Sequence, residues 1–126
     1  MRINSHHFPH ETTWKVVTYM DARLEPYRTL VSFLGEALGP DYEVVLHDLT
    51  SEEGRAQVLT KTLAAFGKVD ILINNAGWGC KSSFLETDMA SFDRSINLNL
   101  KATYFMAQLA VKQMIDQGCG GRVINI

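Results

Sequence analysis

Asparagine and aspartate residues stand where two apolar runs of this sequence end. Asn74-Asn75-Ala76-Gly77 directly follows one run, and Asp48-Leu49 follows an earlier one. In an α/β sheet, ligands bind just beyond the carboxyl ends of the strands. A small residue followed by glycine lets a ligand approach the backbone closely, and an asparagine side chain can tie loops together or bind a ribose. Both segments are therefore candidate binding residues, although Asn-Ala-Gly is equally able to form a simple strand-ending turn.

Asp48 and Asn99 are the further candidates for chemistry. The carboxylate of Asp48 can accept a hydrogen bond from an adenine amino group, with the next backbone amide against the ring; an acidic residue placed favourably near a helix N-terminus is the alternative. Asn97 and Asn99 fall inside a predicted helix, where asparagine is mildly unfavourable because its side chain competes for backbone groups. Two within three residues indicate a purpose or a local kink, while solvent exposure is the alternative, chiefly for Asn97.

Alternating strands and helices position these residues. Compact apolar runs predict strands at 42–46, 69–73 and 122–126, and the β-prone stretch 14–19 is a fourth strand or a short helix. Helical spacing predicts three helices, at 24–38, between Thr50 and Gly67, and from Thr87 to about Gln117. This order predicts an α/β fold, with a small parallel sheet of three to four strands between helices.

The same patterns predict details of the elements. Thr50 with Glu53 three residues later matches a capping box. The following helix is expected to present one apolar face, made of Leu59, Leu63 and Phe66. The nearly continuous apolar run 69–73 predicts a strand buried on both faces, and Thr87 is the expected N-cap of the long helix.

Composition and charge narrow the function classes. The chain has 126 residues, of which 46% are hydrophobic and 21% charged, which is typical of one soluble globular domain. A net charge of -2 gives no bulk attraction to nucleic acid or to an anionic membrane. Residues 1–13 read as a flexible arm without the apolar stretch of a secretory signal, so 14–126 is the expected single domain and the cytoplasm the expected location.

Cysteine and histidine usage predicts neither disulfides nor a metal site. Cys80 and Cys119 lie far apart without metal-ligand spacing, which favours reduced thiols. His6, His7 and His10 lie in the arm, where a solvated tail is favoured over a metal site because a metal needs fixed geometry.

Residues 48–126 resemble the short-chain dehydrogenase/reductase family. The resemblance is carried by four segments: Asp48-Leu49-Thr50, residues 67–77 ending in Asn74-Asn75-Ala76-Gly77, Asn99-Leu100-Lys101-Ala102, and residues 121–126. It implies a partial Rossmann-like three-layer fold and an oxidoreductase that uses NAD or NADP.

The resemblance also implies roles for individual residues. Asp48 and Leu49 would contact adenine, and Asn75, Ala76 and Gly77 would line the ribose and nicotinamide side. Asn74 would mainly stabilise the sheet. Asn99 would match the asparagine of the catalytic tetrad, which holds a water in the proton relay. The long helix would pack against its copy in a homo-oligomer, with a dimer expected, through these apolar residues: Tyr104, Phe105, Leu109, Val111 and Met114.

Two motifs of that family are missing from these 126 residues. The glycine-rich Thr-Gly-x-x-x-Gly-x-Gly turn does not occur before Asp48, and Tyr-x-x-x-Lys does not occur anywhere. In that family the turn binds the pyrophosphate of the cofactor, and the tyrosine donates the proton in carbonyl reduction. The expectation is weak or no cofactor binding, and no turnover by this chain alone.

Residues 24–49 have a second resemblance, to a YheO-type PAS-like domain, carried by Glu43-Val44-Val45-Leu46-His47-Asp48-Leu49. It suggests a chimera in which 14–49 derive from one family and 48–126 from another. The alternative functions are then a non-catalytic chimeric or designed α/β protein, or a ligand-sensing fragment of a transcriptional regulator.

Overall fold

The computed structural model describes residues 16–20 and 42–126, with side-chain surroundings from residue 47 onward. The expected arm at 1–13 and the expected helix at 24–38 lie outside these residues.

Four short strands form two parallel pairs. β1 (Val16–Met20) pairs with β2 (Tyr42–Leu46), and β3 (Ile71–Asn74) pairs with β4 (Arg122–Asn125). The α/β class and the parallel pairing are confirmed, and the described part of the first β-prone stretch is a strand. The described strands do not hydrogen-bond into one continuous sheet, which is a departure from the expected arrangement.

The first described helix, α1 (Glu52–Phe66), begins one residue later than the sequence predicts. Its N-cap is Ser51, whose hydroxyl accepts from the N–H of Gly54 at 2.9 Å. Thr50 is not the cap, because its N–H and hydroxyl both donate to the carboxylate of Asp48, at 2.9 and 2.6 Å. The residue at the third helical position is therefore Gly54, and the predicted capping box does not form.

The buried face of α1 also differs from the predicted one. It consists of Gly54, Arg55, Val58 and Thr62. The three predicted core residues on this helix are only half-buried: Leu59, Leu63 and Phe66. Thr62 tolerates burial because its hydroxyl donates to the carbonyl of Val58 at 2.9 Å, within the helix. The hydrophobic pattern alone therefore predicted the wrong buried face for α1.

A run of three helical segments follows the loop after β3. They are α2 (Met89–Ser95), a π-helical segment (Ile96–Ala102) and α3 (Thr103–Asp116). Asp88, not Thr87, is the N-cap, since its carboxylate accepts from the N–H of Ser91 at 2.7 Å. Thr87 instead donates to the carbonyl of Ser83 at 2.9 Å. The wider π-helical turns contain Asn97 and Asn99, which confirms the local irregularity that the two asparagines predicted.

A small core lies between α1, α3 and the β3–β4 pair. Its buried members are Val58, Leu72, Met106, Ala110 and Met114. β3 is not buried on both faces in the described part of the chain: Leu72 is 6% exposed, whereas Ile71 and Ile73 are 41% and 53% exposed. The reason is that α3 packs on β3, and alternate strand residues point to opposite faces.

The turn between α3 and β4 is held by one side chain. The amide of Gln117 donates to the carbonyl of Val69 at 2.6 Å and accepts from its N–H at 3.1 Å. Gly118 and Gly120 have φ of 74° and 70°, a backbone region that favours glycine, so the predicted break at these glycines is confirmed. Among the described residues, no helix is long and apolar enough to cross a membrane.

Candidate functional site

The end of β3 is fixed by Asn74. Its side-chain amide donates to the side-chain oxygen of Asn125 at 2.9 Å and to the backbone carbonyl of Thr103 at 3.4 Å. These bonds join the ends of β3 and β4 to the start of α3. Asn74 thus acts within the protein, in agreement with the sheet-stabilising role that the family resemblance implied.

Residues 75–77, the β3 loop, follow Asn74 and are exposed. A Cβ added to Gly77 would lie 3.6 Å from the side-chain oxygen of Asn99, an ordinary contact distance. Packing within the described protein therefore does not require glycine at this position. An open backbone with room for a neighbouring molecule suits a ligand that approaches the loop closely.

Asn99 holds the residue that follows the β3 loop. Its side-chain oxygen accepts from the N–H of Trp78 at 2.8 Å, and its side-chain nitrogen donates to the carbonyl of Trp78 at 2.8 Å. The same nitrogen donates to the hydroxyl of Ser95 at 3.2 Å. The structure therefore brings together Asn99 and the loop predicted to bind a ligand, two features 21 residues apart in sequence.

Asp48 and Leu49 belong to the N-terminal turn of α1. The carboxylate of Asp48 accepts two bonds from Thr50, and its carbonyl accepts from the N–H and hydroxyl of Ser51 at 3.2 and 3.0 Å. The Leu49 carbonyl accepts from the guanidinium of Arg55 at 2.7 Å, and the Leu49 side chain packs on the core. These hydrogen bonds connect the two residues to α1.

Gly54 and Arg55 are positioning residues that the sequence patterns did not reveal. A Cβ at Gly54 would collide with the carbonyl oxygen of Asp48 and lie 2.8 Å from its carbonyl carbon. Arg55 is only 5% exposed, and its guanidinium lies 5.4 Å from the ring centre of Phe105. The close approach of Gly54 and the bond from Arg55 fix the backbone at Asp48 and Leu49. A glycine three residues after Ser51 was the available signal.

Arg94 is a further residue at the site that the predictions omitted, and it lies beside Trp78. The guanidinium carbon of Arg94 lies 4.5 Å from the ring centre of Trp78, a cation–π geometry. The indole is half-buried and Arg94 is exposed. Spacing gave no signal for this pair, because the two residues lie on separate elements.

Cys80, Ser82 and Thr87 form a chain of polar contacts beyond Trp78. The thiol of Cys80 lies 2.8 Å from the hydroxyl of Ser82, which lies 2.9 Å from that of Thr87. Hydrogen bonding from Ser82, with a further contribution from Ser91, lowers the pKa of Cys80 below its ordinary value. The pKa of Asp88 is also lowered, because the backbone N–H of Ser91 donates to its carboxylate.

The chemistry available at this site is binding by neutral amides and backbone groups. Within the described ranges, no group of three or more His, Cys, Asp or Glu residues is arranged to hold a metal ion. The β3 loop and the turn at Asp48-Leu49 each follow the carboxyl end of a parallel strand, the position where nucleotides bind in α/β folds.

Comparison with known proteins identifies the family. The sequence model of the short chain dehydrogenase family matches residues 10–126. The chain is 38% identical over 103 residues to 2-dehydro-3-deoxy-D-gluconate 5-dehydrogenase of Dickeya dadantii (strain 3937), covering 82% of this chain and 40% of that protein. It is 34% identical to L-rhamnose 1-dehydrogenase (NAD(P)(+)) of Sphingomonas sp. (strain SKA58), covering 72% of this chain and 36% of that protein.

A solved structure shows the same fold. ElxO with NADP bound superposes with a TM-score of 0.74 at 27% identity, covering 89% of this chain and 44% of that one. The chain thus spans about two fifths of the length of the curated relatives it matches. The family match begins at residue 10 and includes the stretch for which a PAS-like origin was predicted, and the comparisons give no support for that origin or for a chimera. The chain belongs to the short chain dehydrogenase family.

Proposed function

We propose that this chain contributes the nicotinamide-side wall of an NAD(P) site in an oxidoreductase that interconverts a carbonyl and an alcohol. One observation carries the proposal: Asn99 binds both backbone groups of Trp78, directly after the exposed residues 75–77. The family membership and the NADP bound to ElxO support the choice of a nicotinamide cofactor.

Each residue of the site has a distinct task in this proposal. The bound cofactor supplies or accepts a hydride. Asn75, Ala76 and Gly77 present backbone and amide groups to the ribose and nicotinamide, and Asn99 keeps that loop in place. The backbone at Asp48 and Leu49, held by α1, contacts the adenine.

Two motifs that the 126 residues lack limit their activity when they act alone. A dinucleotide pyrophosphate needs backbone N–H donors near a helix N-terminus, and carbonyl reduction needs a proton donor. The sequence contains neither the glycine-rich turn nor a Tyr-x-x-x-Lys pair. We therefore expect weak cofactor binding without turnover.

Titration of NADH and NADPH into the purified chain tests the proposal through the fluorescence of the reduced nicotinamide. Saturable binding supports it, and Asn99→Leu should weaken that binding. The matched control is Asn97→Leu, since Asn97 lies two residues away in the same π-helical segment and is exposed. No binding at millimolar cofactor would refute the proposal, and turnover of a carbonyl substrate would refute the expected inactivity.

Sugars and sugar acids form the first substrate class to test. The curated relatives include a 2-dehydro-3-deoxy-D-gluconate dehydrogenase, an L-rhamnose dehydrogenase and an L-xylulose reductase. A protein that contains this chain together with the proton donor should reduce or oxidise such a compound in preference to an apolar ketone of similar size.

A homo-oligomer, with a dimer as the simplest form, is part of the same proposal. Tyr104 and Val111 on α3 are 63% and 41% exposed, while Phe105 is 37% exposed. Met114, which was also expected at this interface, is buried in the core and does not contribute. Light scattering at micromolar concentration should show the dimer, and a monomer would refute it.

A further inference from the structure

We propose that Arg94 is a positioning residue for the β3 loop and acts through the indole of Trp78. The inference rests on the proposed function, because it assigns a role within the same site. The β3 loop is short, since only residues 75–77 separate Asn74 from Trp78.

Both ends of that loop are held by side chains from elsewhere. Asn74 is bonded to Asn125 and to the carbonyl of Thr103. At the other end, Asn99 binds the backbone of Trp78. These bonds do not orient the indole, since they involve only the backbone of Trp78.

Arg94 supplies the missing restraint. Its guanidinium carbon lies 4.5 Å from the centre of the indole ring. Among the described residues it has no carboxylate partner, so no ion pair competes with this stacking. Arginine suits the position because a planar guanidinium stacks on an aromatic face, which the compact ammonium of lysine does less well.

One helical run holds both the backbone and the ring of Trp78. Arg94 and Ser95 end α2, and Asn99 follows in the π-helical segment. Ser95 accepts from the side chain of Asn99 at 3.2 Å, which orients that amide. Three neighbouring side chains of one run therefore fix the residue after the β3 loop.

The affinity test uses NADPH and single and double variants of the full chain. Arg94→Gln should raise the Kd about two- to fivefold, the range of an exposed cation–π contact. Arg94→Lys should fall between this variant and the wild type. In a Trp78→Leu background, Arg94→Gln should have no further effect.

Lys101→Gln is the charge control, because NADPH is an anion and the loss of any nearby cation weakens its binding. Lys101 is an exposed basic residue of the π-helical segment. An Arg94→Gln effect no larger than that of Lys101→Gln, or one that persists in the Trp78→Leu background, would overturn the inference. The midpoint of urea unfolding should stay unchanged for Lys101→Gln and should fall only slightly for Arg94→Gln, which loses its exposed contact with Trp78.

Hydrogen exchange of the cofactor-free chain separates this inference from the proposed function. Amides of residues 76–78 should exchange faster in Arg94→Gln than in the wild type or in Lys101→Gln. Unchanged exchange in Arg94→Gln would overturn the role of Arg94 even if NADPH binds. Failure of the wild type to bind NADPH would refute the proposed function, while faster exchange would still support the restraint by Arg94.

Discussion

Asn99 and Trp78 are joined by two hydrogen bonds of 2.8 Å, in which one side-chain amide satisfies both the N–H and the carbonyl of the other residue's backbone. This is the pairing that an adjacent strand would provide, supplied here by a helix. It links the irregular helix to the loop after β3, and so gives Asn97 and Asn99 different roles. Both residues are exposed, and Asn99 is the one whose side chain holds the loop.

Replacing Asn99 with aspartate should damage the site more than its similar shape suggests. The carboxylate keeps an acceptor for the N–H of Trp78, but it loses the donor to the carbonyl and places negative charge beside that oxygen. The lost bond and the added repulsion together cost roughly 1–2 kcal/mol, so NADPH affinity should fall about five- to thirtyfold. Isothermal titration measures this, and an equal loss in Asn97→Asp would show that general charge is the cause.

Gly54→Ala should destabilise the protein although alanine is the better helix former. Alanine gains roughly 1 kcal/mol over glycine within a helix, but the added Cβ would collide with the backbone of Asp48. Overpacking of this kind typically costs about 1–3 kcal/mol, and backbone yields less than a side chain. The urea midpoint should therefore fall. In the control, Gly79→Ala, the Cβ meets nothing within 4 Å, and equal midpoints for both variants would contradict the packing described.

Gln117→Leu should lower the free energy of unfolding by about 1–3 kcal/mol, because the N–H and the carbonyl of Val69 lose their hydrogen-bond partner. Gln117→Glu should not rescue it, since a carboxylate cannot donate to the Val69 carbonyl. Chemical unfolding measures the effect. Gln108 lies on the exposed side of α3, so Gln108→Leu should change stability by less than about 0.5 kcal/mol, and a comparable loss there would refute the specific role of Gln117.

Cys80 should react with iodoacetamide at lower pH than an ordinary thiol. Ser82 stabilises the thiolate by hydrogen bonding and lowers the pKa of Cys80, and the thiolate is the reactive form. The pH–rate profile of a Cys119→Ser variant isolates this thiol. Its midpoint should rise in Ser82→Ala, whereas an unchanged midpoint would show that Ser82 does not stabilise the thiolate.

The strands and the long helical run were predictable because hydrophobic runs and glycine breaks are local signals. β2 has the predicted bounds of 42–46, and the break at Gly118 and Gly120 follows from their positive φ. Helix starts were misplaced by one residue at both Thr50 and Thr87. In each case the neighbouring residue, Ser51 or Asp88, is also a good cap, and only the folded turn decides between them.

The candidate site residues could be named from the sequence, but their contacts could not. The loop after β3 and Asn99 were identified from types and positions, whereas the pairing of Asn99 with Trp78 depends on how the helix packs. Arg55 was missed because a buried arginine contradicts composition rules, and its burial depends on the Leu49 carbonyl and the Phe105 ring. Such partners are set by tertiary structure.

Energy transfer from Trp78 to bound NADPH tests the central claim most directly. The chain has two tryptophans, so Trp14→Phe leaves Trp78 as the only donor. If the loop next to Trp78 lines the nicotinamide side of the site, NADPH should quench the indole emission saturably and gain sensitised emission of its own, with both signals weakened in Asn99→Leu. NADPH binding without quenching or sensitised emission, or no binding at millimolar concentration, would contradict the account.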